Sequence, residues 1–301
     1  MNVLIIGGTG FIGINLANKL ISQGNKVSVV GIPSGSEKFD VYNVSLTEAN
    51  KIIDIIKNDK ITHVIHLANS ILPNSTFEEY INSVEDIILP TYKIIEYCAK
   101  VKNIKFVFYS SGGTIYGNQN NCSEDVKPRP TSFYGYSKQI IEDYLIMKQQ
   151  EGLDVLILRP SNPYGHGQNL NGTQGIIAVA LGKAIKNQEL SLFSPINSKK
   201  DYIYIDDLVD ITIQLSQNNS GIYNIGSGVQ SSLGEIFALI EKYSNKKLKL
   251  NPTVSNKNYI HEVVMNIDKL KVDLPDFKFL TLEKGIERFI EETNTESLGE
   301  L

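Results

Sequence analysis

An α/β fold, with a doubly wound parallel sheet and a smaller mixed α/β lobe after it, is what this sequence predicts. Three observations predict it. Apolar runs at residues 3–6, 27–30, 63–67, 105–109 and 155–158 show no polar alternation, the pattern of strands covered on both faces. Between them, residues 11–22, 47–57, 77–101 and 134–150 carry apolar side chains at helical spacing. Strand and helix therefore alternate through the first half, which asks for βαβ units with right-handed crossovers.

The texture changes after Pro160. Residues 162–173 are rich in Gly, Asn and Pro and read as loop. Helices are expected at 175–187, 206–217 and 233–243, and short strands near 190–193, 201–204 and 222–225. The expected organisation is a first domain over 1–160, a second lobe over 161–292 and a polar, disordered tail over 293–301. A junction of two such lobes usually forms the cleft where ligands meet.

Bulk properties exclude several function classes. The 301 residues are 42% hydrophobic and 21% charged, ordinary values for a chain that builds its own core. A formal charge of −4 offers no attraction to nucleic acid or to an anionic membrane, so neither is expected as a partner. Cys98 and Cys122 form no disulfide framework and suit a reducing compartment. Residues 2–6 are too short for a signal-peptide core and residues 176–181 too short for a spanning helix. The chain reads as cytoplasmic.

Gly7, Gly10 and Gly13 follow an apolar strand directly and open a helix, and Gly8, Gly10 and Gly13 also satisfy G-x-G-x-x-G. One glycine permits the tight turn, one lets backbone approach a pyrophosphate, and one lets helix pack closely on strand. The helix N-terminus adds free N–H groups and the positive end of its dipole. This is a Rossmann-type dinucleotide site, with Gly7, Gly10, Phe11, Ile12 and Gly13 as its first binding residues. The acidic residue that normally takes the ribose hydroxyls after the second strand is missing, because Gly31 stands there. Ser34, Ser36 and Lys38 follow and are candidate phosphate partners, so NAD and NADP both remain open.

Tyr134 and Lys138, in YGYSK, stand four apart at the start of a helical stretch and project from one face. A tyrosine pKa of about 10 makes a poor base at neutral pH, and bringing it near 7 takes roughly 4 kcal/mol. The Lys138 ammonium, a helix N-terminus and an oxidised nicotinamide ring all act in that direction. A tight turn alone accounts for three glycines, and a helix surface can hold any Tyr/Lys pair. The two motifs in one chain point to a nicotinamide cofactor and to proton transfer. His63, His66, His166 and His261 have no carboxylate or thiol partner at ligand spacing, so no metal is expected. Ser110 and Ser111 lack the G-x-S-x-G elbow of a serine nucleophile.

The sequence resembles the extended short-chain dehydrogenase/reductases, specifically the nucleotide-sugar epimerase/dehydratase group. The resemblance is carried in order by GGTGFIG (7–13), HLAN (66–69), SSGGTIYG (110–117), YGYSK (134–138), LRPSNPYGHGQ (158–168), DYIYIDDL (201–208) and YNIGSG (223–228), and covers about residues 1–244. Within the group the chain is most similar to UDP-glucose 4-epimerase relatives. The resemblance implies Tyr134 as general acid/base and Lys138 as the residue that holds the nicotinamide ribose. Asn43, Val44, Leu67, Ala68, Asn69, Ser110 and Pro160 would line the cofactor, with Asn162 beside both nicotinamide and sugar. Lys200 falls where relatives place an arginine against the substrate diphosphate, and Asp206 and Asp207 read as caps of the following helix. The resemblance also implies a nucleotide-diphosphate sugar as substrate, NAD slightly over NADP, and a homodimer through the helices at 77–101 and 134–150.

Departures narrow that picture. The hydroxyl that relatives place four residues before the tyrosine of the xYG segment is Gly112 here, which leaves Ser111 and Thr114 as candidate substitutes. Asn43 replaces an Asp that meets adenine, Ile87 replaces an Asn of the third helix, and no arginine counterpart stands around residues 256–262. Three functions follow: a 4-epimerase working through a transient 4-keto sugar, a 4-keto-sugar reductase that consumes NAD(P)H, and a non-catalytic dinucleotide-binding protein. A 4,6-dehydratase is disfavoured, because Gly112 and Gly113 stand where that reaction needs an acid/base pair.

Overall fold

The computed structural model describes residues 1–35, 37–119, 121–253 and 262–299. The first half runs β1 (Asn2–Ile6), α1 (Phe11–Ser22), β2 (Lys26–Gly31), β3 (Val41–Asn43), α2 (Ala49–Asn58), β4 (His63–His66), α3 (Phe77–Ser83), α4 (Leu89–Lys100), β5 (Lys105–Tyr109), α5 (Gly112–Ile115), α6 (Phe133–Gln150) and β6 (Asp154–Pro160). The second half runs β7 (Asn162–Tyr164), α7 (Ile176–Ile185), β8 (Glu189–Leu192), β9 (Lys199–Tyr204), α8 (Ile205–Asn218), β10 (Gly221–Ile225), β11 (Gln230–Ser232), α9 (Leu233–Ser244), β12 (Lys249–Pro252), β13 (Glu262–Val263), α10 (Asp268–Asp273) and α11 (Leu282–Gly299).

Two compact units share the chain. The first takes residues 1–117, 126–160 and 209–223, and the second takes 118–125, 161–208 and 224–301. The expected uninterrupted second lobe is therefore corrected: β10 joins the large sheet, at the edge beside β6. Among the described residues that sheet has the order β10-β6-β5-β4-β1-β2-β3, and its ladders from β6 to β3 are parallel. The crossover from β3 to β4 passes beyond β1, so the chain reverses direction there, the place where α/β sheets bind ligands.

The first unit's sheet is apolar because helices cover it. Leu4, Ile6, Val64, Phe106, Phe108 and Val155 pack with Ile52, Ile56, Ile94, Ile95 and Leu145 from α2, α4 and α6. Some of the helices start at a side-chain cap. Thr76 caps α3 in a reciprocal box with Glu79, and Ser132 caps α6 by accepting from the Gly135 N–H. The single helix expected over 77–101 is instead α3 and α4 joined by a π-helical turn at Val84–Ile88, with Ile87 buried in the core. β3 is too short and too exposed to show an apolar run, which is why it is not legible in the sequence.

One ion pair is enclosed in the first unit. Arg159 on β6 donates from Nη2 to Glu142 Oε2 at 2.6 Å and from Nε to Oε1 at 3.1 Å, and from Nη1 to the Tyr116 hydroxyl at 2.7 Å. Both charged side chains are 1% exposed. Bidentate geometry offsets much of the desolvation of such a pair.

In the second unit β9 is the hub, pairing antiparallel with β11 and parallel with β7 and β13. The loop expected at 162–173 thus begins with a strand, β7. Asp201, buried on β9, accepts from Ser227 N–H at 2.9 Å, Ser227 Oγ at 2.7 Å and Gly228 N–H at 2.9 Å, tying the YNIGSG turn to the strand. The disordered tail expected at 293–301 is also corrected, since α11 continues to Gly299.

The close seat of α1 on the glycine turn yields a stability prediction. A Cβ on Gly13 would lie 2.5 Å from the Gly8 Cα, a backbone atom that has nowhere to go. Gly13→Ala is expected to lower unfolding free energy by about 1–3 kcal/mol in urea titrations, the range for overpacking.

Candidate active site

The carboxyl ends of the parallel strands bring the sequence-predicted residues of the first unit to one edge of the sheet. β1 delivers the glycine turn, where the Gly7 and Gly8 N–H groups donate to the Val30 carbonyl at 2.9 and 3.2 Å. Phe11, Ile12 and Gly13 form the first turn of α1, whose N-cap residue is Gly10, with no side-chain cap. Gly10 differs from Gly13 in a telling way. A Cβ there would meet only the Gly7 carbonyl, at an ordinary 3.5 Å. No packing demand of the protein calls for glycine at position 10, and the first turn of α1 has no side-chain cap. Both features fit a phosphate group held by backbone.

β2 ends at Gly31, which packs against the Thr9 side chain. A Cβ on Gly31 would lie 2.6 Å from Thr9 Oγ1. Beside it, Asn43 ends β3 in register with Gly31, and the Val44 N–H donates to the Tyr42 carbonyl at 2.8 Å. After β4, the Leu67 and Ala68 N–H groups both donate to the Ile6 carbonyl, and Asn69 Nδ2 donates to the Ile71 carbonyl. Ser34, expected as a free phosphate partner, already donates its N–H and hydroxyl to Glu37. Ser36 lies outside the described residues.

At the end of β5 the catalytic candidates converge. Gly135 makes this possible: a Cβ there would lie 2.6 Å from Pro130 Cβ and 3.1 Å from the Thr114 carbonyl, so only glycine lets α6 start this close to α5. Tyr134 then shares a hydrogen bond with Ser111, the residue just before α5. Lys138 is buried and donates to the Tyr109 carbonyl at 2.9 Å, with Nζ 5.0 Å from the Phe108 ring centroid and 5.6 Å from that of Tyr134. Among the described residues, the buried Ser110 Oγ and Thr114 Oγ1 have no hydrogen-bond partner. Buried hydroxyls without partners are rare in folded proteins and mark places where a ligand completes the bonding.

Burial pushes the Tyr134 phenol above its usual 10, and the hydrogen bond from Ser111 is what pulls the other way. Burial lowers Lys138 from 10.5 to about 8, with the Glu142 carboxylate opposing it. Lys138 gives one of its three N–H donors to the Tyr109 carbonyl and keeps its positive charge beside the Tyr134 ring. His66 lies underneath, fully buried, with Nε2 2.9 Å from the Thr91 hydroxyl and a pKa taken down to about 3 by burial and then by the Lys138 charge.

Pro160, at the carboxyl end of β6, stays on that same edge of the first unit's sheet. Several sequence-predicted residues fall elsewhere. In the second unit, Asn162 donates from Nδ2 to the Asp201 carbonyl at 2.7 Å, and Lys200 is lowered by burial. Asp206 and Asp207 lie inside the first turn of α8 rather than before it, so neither is its N-cap residue. Asp206 instead pairs with Arg288 at 2.7 Å and with His166 at 2.9 Å, and Asp207 accepts the Leu280 N–H at 2.7 Å. His166 does therefore have a carboxylate partner, drawn from 40 residues away. His261 lies outside the described residues. Sequence reasoning missed Glu142 and Asp201 as organising carboxylates; only the position of Glu142 one turn beyond Lys138 hinted at a role.

Comparison with known proteins fits this geometry. A family model described as NAD dependent epimerase/dehydratase matches residues 3–226. The chain belongs to that family. It is an enzyme of the extended short-chain dehydrogenase/reductase type. The dTDP-4-dehydro-6-deoxyglucose reductase of Escherichia coli is 33% identical, over 96% of this chain and 96% of that protein. The UDP-glucose 4-epimerase of Thermotoga maritima, solved with UDP-glucose, is 26% identical with a TM-score of 0.91, covering 99% of this chain and 100% of that one. The UDP-glucose 4-epimerase of Thermus thermophilus, solved with NAD, is 25% identical with a TM-score of 0.90, covering 98% of this chain and 99% of that one. No helix among the described residues is long and apolar enough to cross a membrane.

Two predictions follow from the family site's geometry. Gly10→Ala is expected to unfold within about 1 kcal/mol of the parent, the cost of ordinary surface changes, yet to lose NADH binding in fluorescence titration. His66 is neutral in the fold and protonated in the unfolded chain between pH 6.5 and about 3. Its contribution is present above pH 6.5 and falls away as pH drops through that window. Acid unfolding followed by circular dichroism should become shallower there in His66→Gln.

Proposed function

We propose that this enzyme interconverts a hydroxyl and a ketone at C4 of a nucleotide-diphosphate sugar, as a 4-epimerase using NAD. The observation that carries this reading is the Tyr134–Ser111 hydrogen bond beside the buried Lys138, on the same sheet edge as the open Gly10 turn. A nicotinamide dinucleotide, which Gly7, Gly10, Phe11, Ile12, Gly13 and Lys138 would hold, would supply hydride-transfer chemistry when bound. The protein's own residues manage the proton. Tyr134 Oη takes the C4 hydroxyl proton as hydride leaves C4, and gives it back when hydride returns to the other face of the 4-keto sugar. Ser111 steadies the phenolate oxygen, and the Lys138 ammonium supplies positive charge nearby. The unpartnered Ser110 and Thr114 hydroxyls supply donors for cofactor and sugar. Asn162 and Lys200 are assigned to substrate, with Lys200 giving charge to the diphosphate but no bidentate fork.

A second reading is favoured by the 33% identity to the E. coli reductase. In it Tyr134 only donates a proton to a 4-keto sugar and the reduced cofactor is consumed. A cytoplasmic homodimer is also part of the proposal, supported by Phe77, Ile81, Leu89 and Tyr136, all large apolar side chains exposed on α3, α4 and α6.

The test is direct. Purified protein is incubated with UDP-glucose, and separately with a dTDP-4-keto-6-deoxy sugar plus NADH or NADPH. Formation of the C4 epimer without net cofactor change supports the first reading; oxidation of the reduced cofactor supports the second. In either assay Tyr134→Phe should lower kcat by about 10²–10⁴, the worth of a positioned acid/base. An unchanged rate sinks the catalytic assignment.

A further inference from the structure

We infer that Arg159 is a positioning residue for the Tyr134–Lys138 pair: by holding both oxygens of Glu142, it keeps the buried Lys138 charge without a carboxylate partner and at the service of Tyr134. The inference rests on the proton transfer proposed above and names the residue that keeps its charges in place.

The charges enclosed in the first unit do not balance. Lys138, Glu142 and Arg159 are 4%, 1% and 1% exposed, two cations against one carboxylate. The other buried lysines there reach carboxylates nearer the surface, Lys105 on Asp154 and Lys148 on Glu96 and Glu151. Lys138, among the described residues, has no carboxylate within ion-pair distance and donates to a backbone carbonyl instead. Helix geometry does not force this. Glu142 stands one turn beyond Lys138 on α6, at the i, i+4 spacing where lysine and glutamate readily pair. Both Glu142 oxygens turn to Arg159, Oε1 accepting from Nε at 3.1 Å and Oε2 from Nη2 at 2.6 Å. The Tyr116 hydroxyl, at the end of α5, accepts from Nη1 at 2.7 Å and steadies the fork from the other side. A planar guanidinium grips a carboxylate on two parallel bonds, which an ammonium cannot match.

Buried charges are stable when matched, so the unmatched cation prepares a place for one negative charge. Lys138 Nζ lies 5.6 Å from the Tyr134 ring centroid, and a phenolate on Tyr134 is that charge. The remaining titratable groups around the pair supply none. His66 on β4 is neutral, Tyr109 on β5 shares its phenol with the Thr212 hydroxyl, and Asp143 and Lys127 act on one another with opposite signs. Without Arg159 the enclosed Glu142 carboxylate has Lys138 one helical turn away, and the pair they form withdraws the positive charge from Tyr134.

The test follows kcat against pH in parent, Arg159→Met, Glu142→Gln and the double variant, with the substrate that the parent turns over. One limb of the profile reports Tyr134, the acidic limb when it acts as base and the alkaline limb when it only donates. Arg159→Met is expected to move that limb about one unit to higher pH, and Glu142→Gln about one unit lower, the effect of one nearby charge. The double variant removes one charge of each sign and should return the limb to the parent's position; exchanging a buried pair for uncharged side chains is also the change a fold tolerates best. Should one single variant fail to fold, the other and the double variant still give a displacement and its reversal. A packing defect would lower kcat and leave the limbs unmoved, or move both single variants the same way, and either result overturns the inference. A limb that stays displaced in the double variant overturns it too. Unmoved limbs in an enzyme that Tyr134→Phe inactivates leave the proposed function standing, whereas turnover indifferent to Tyr134→Phe sinks both.

Discussion

The seat of α1 on the glycine turn is a contact with no room for a Cβ, and the carboxyl edge of the first unit's sheet is built on it. Because Gly13 lies against Gly8 with no room for a Cβ, the helix begins directly over the end of β1. Its uncapped N–H groups are thereby fixed at the carboxyl edge of the sheet. The same turn carries Thr9, whose side chain packs against Gly31 at the end of β2. One steric constraint thus sets where α1 begins over the end of β1. Close packing of this sort transmits a requirement from one residue to the next, because interiors have few voids to absorb a change.

A second close approach, at Gly135, does for the proton-transfer groups what Gly13 does for the cradle. It brings Tyr134 to Ser111 and sets Lys138 into a buried position on the Tyr109 carbonyl. Burial then works against the charged forms of both residues. A phenol held above its ordinary range is a proton donor at rest and becomes a base only when positive charge arrives beside it. In the proposed function this couples the tyrosine's basicity to cofactor occupancy, so an empty site holds no free base.

Gly112 leaves the usual hydroxyl unassigned in the sequence, and the structure shows how its two neighbouring hydroxyls differ. Ser111 turns to Tyr134, and Thr114, one residue before the end of α5, leaves a buried Oγ1 without a partner. Which of two neighbouring hydroxyls faces the phenol depends on backbone angles at the start of a four-residue helix, and no residue pattern encodes those. The pairing of His166 with Asp206 is of the same kind. It joins side chains 40 residues apart through the course of β9 and α8.

The sequence by itself determined the parallel sheet, the dinucleotide turn and the tyrosine–lysine pair. Each is a local signal: an apolar run with no alternation, a glycine spacing after a strand, two residues on one helical face. It also named the family, through short motifs in a fixed order. Tertiary structure alone decided that β10 joins the first sheet, that the helix at 77–101 carries a π-helical turn, and that the last helix runs on to Gly299. It alone enclosed Arg159 with Glu142, and it alone folded Glu37 back on Ser34 and Gly35. The physical reason is common to all of these. Periodicity records how much of a residue is covered, but not by which distant residue; partners are chosen by the three-dimensional path of the chain.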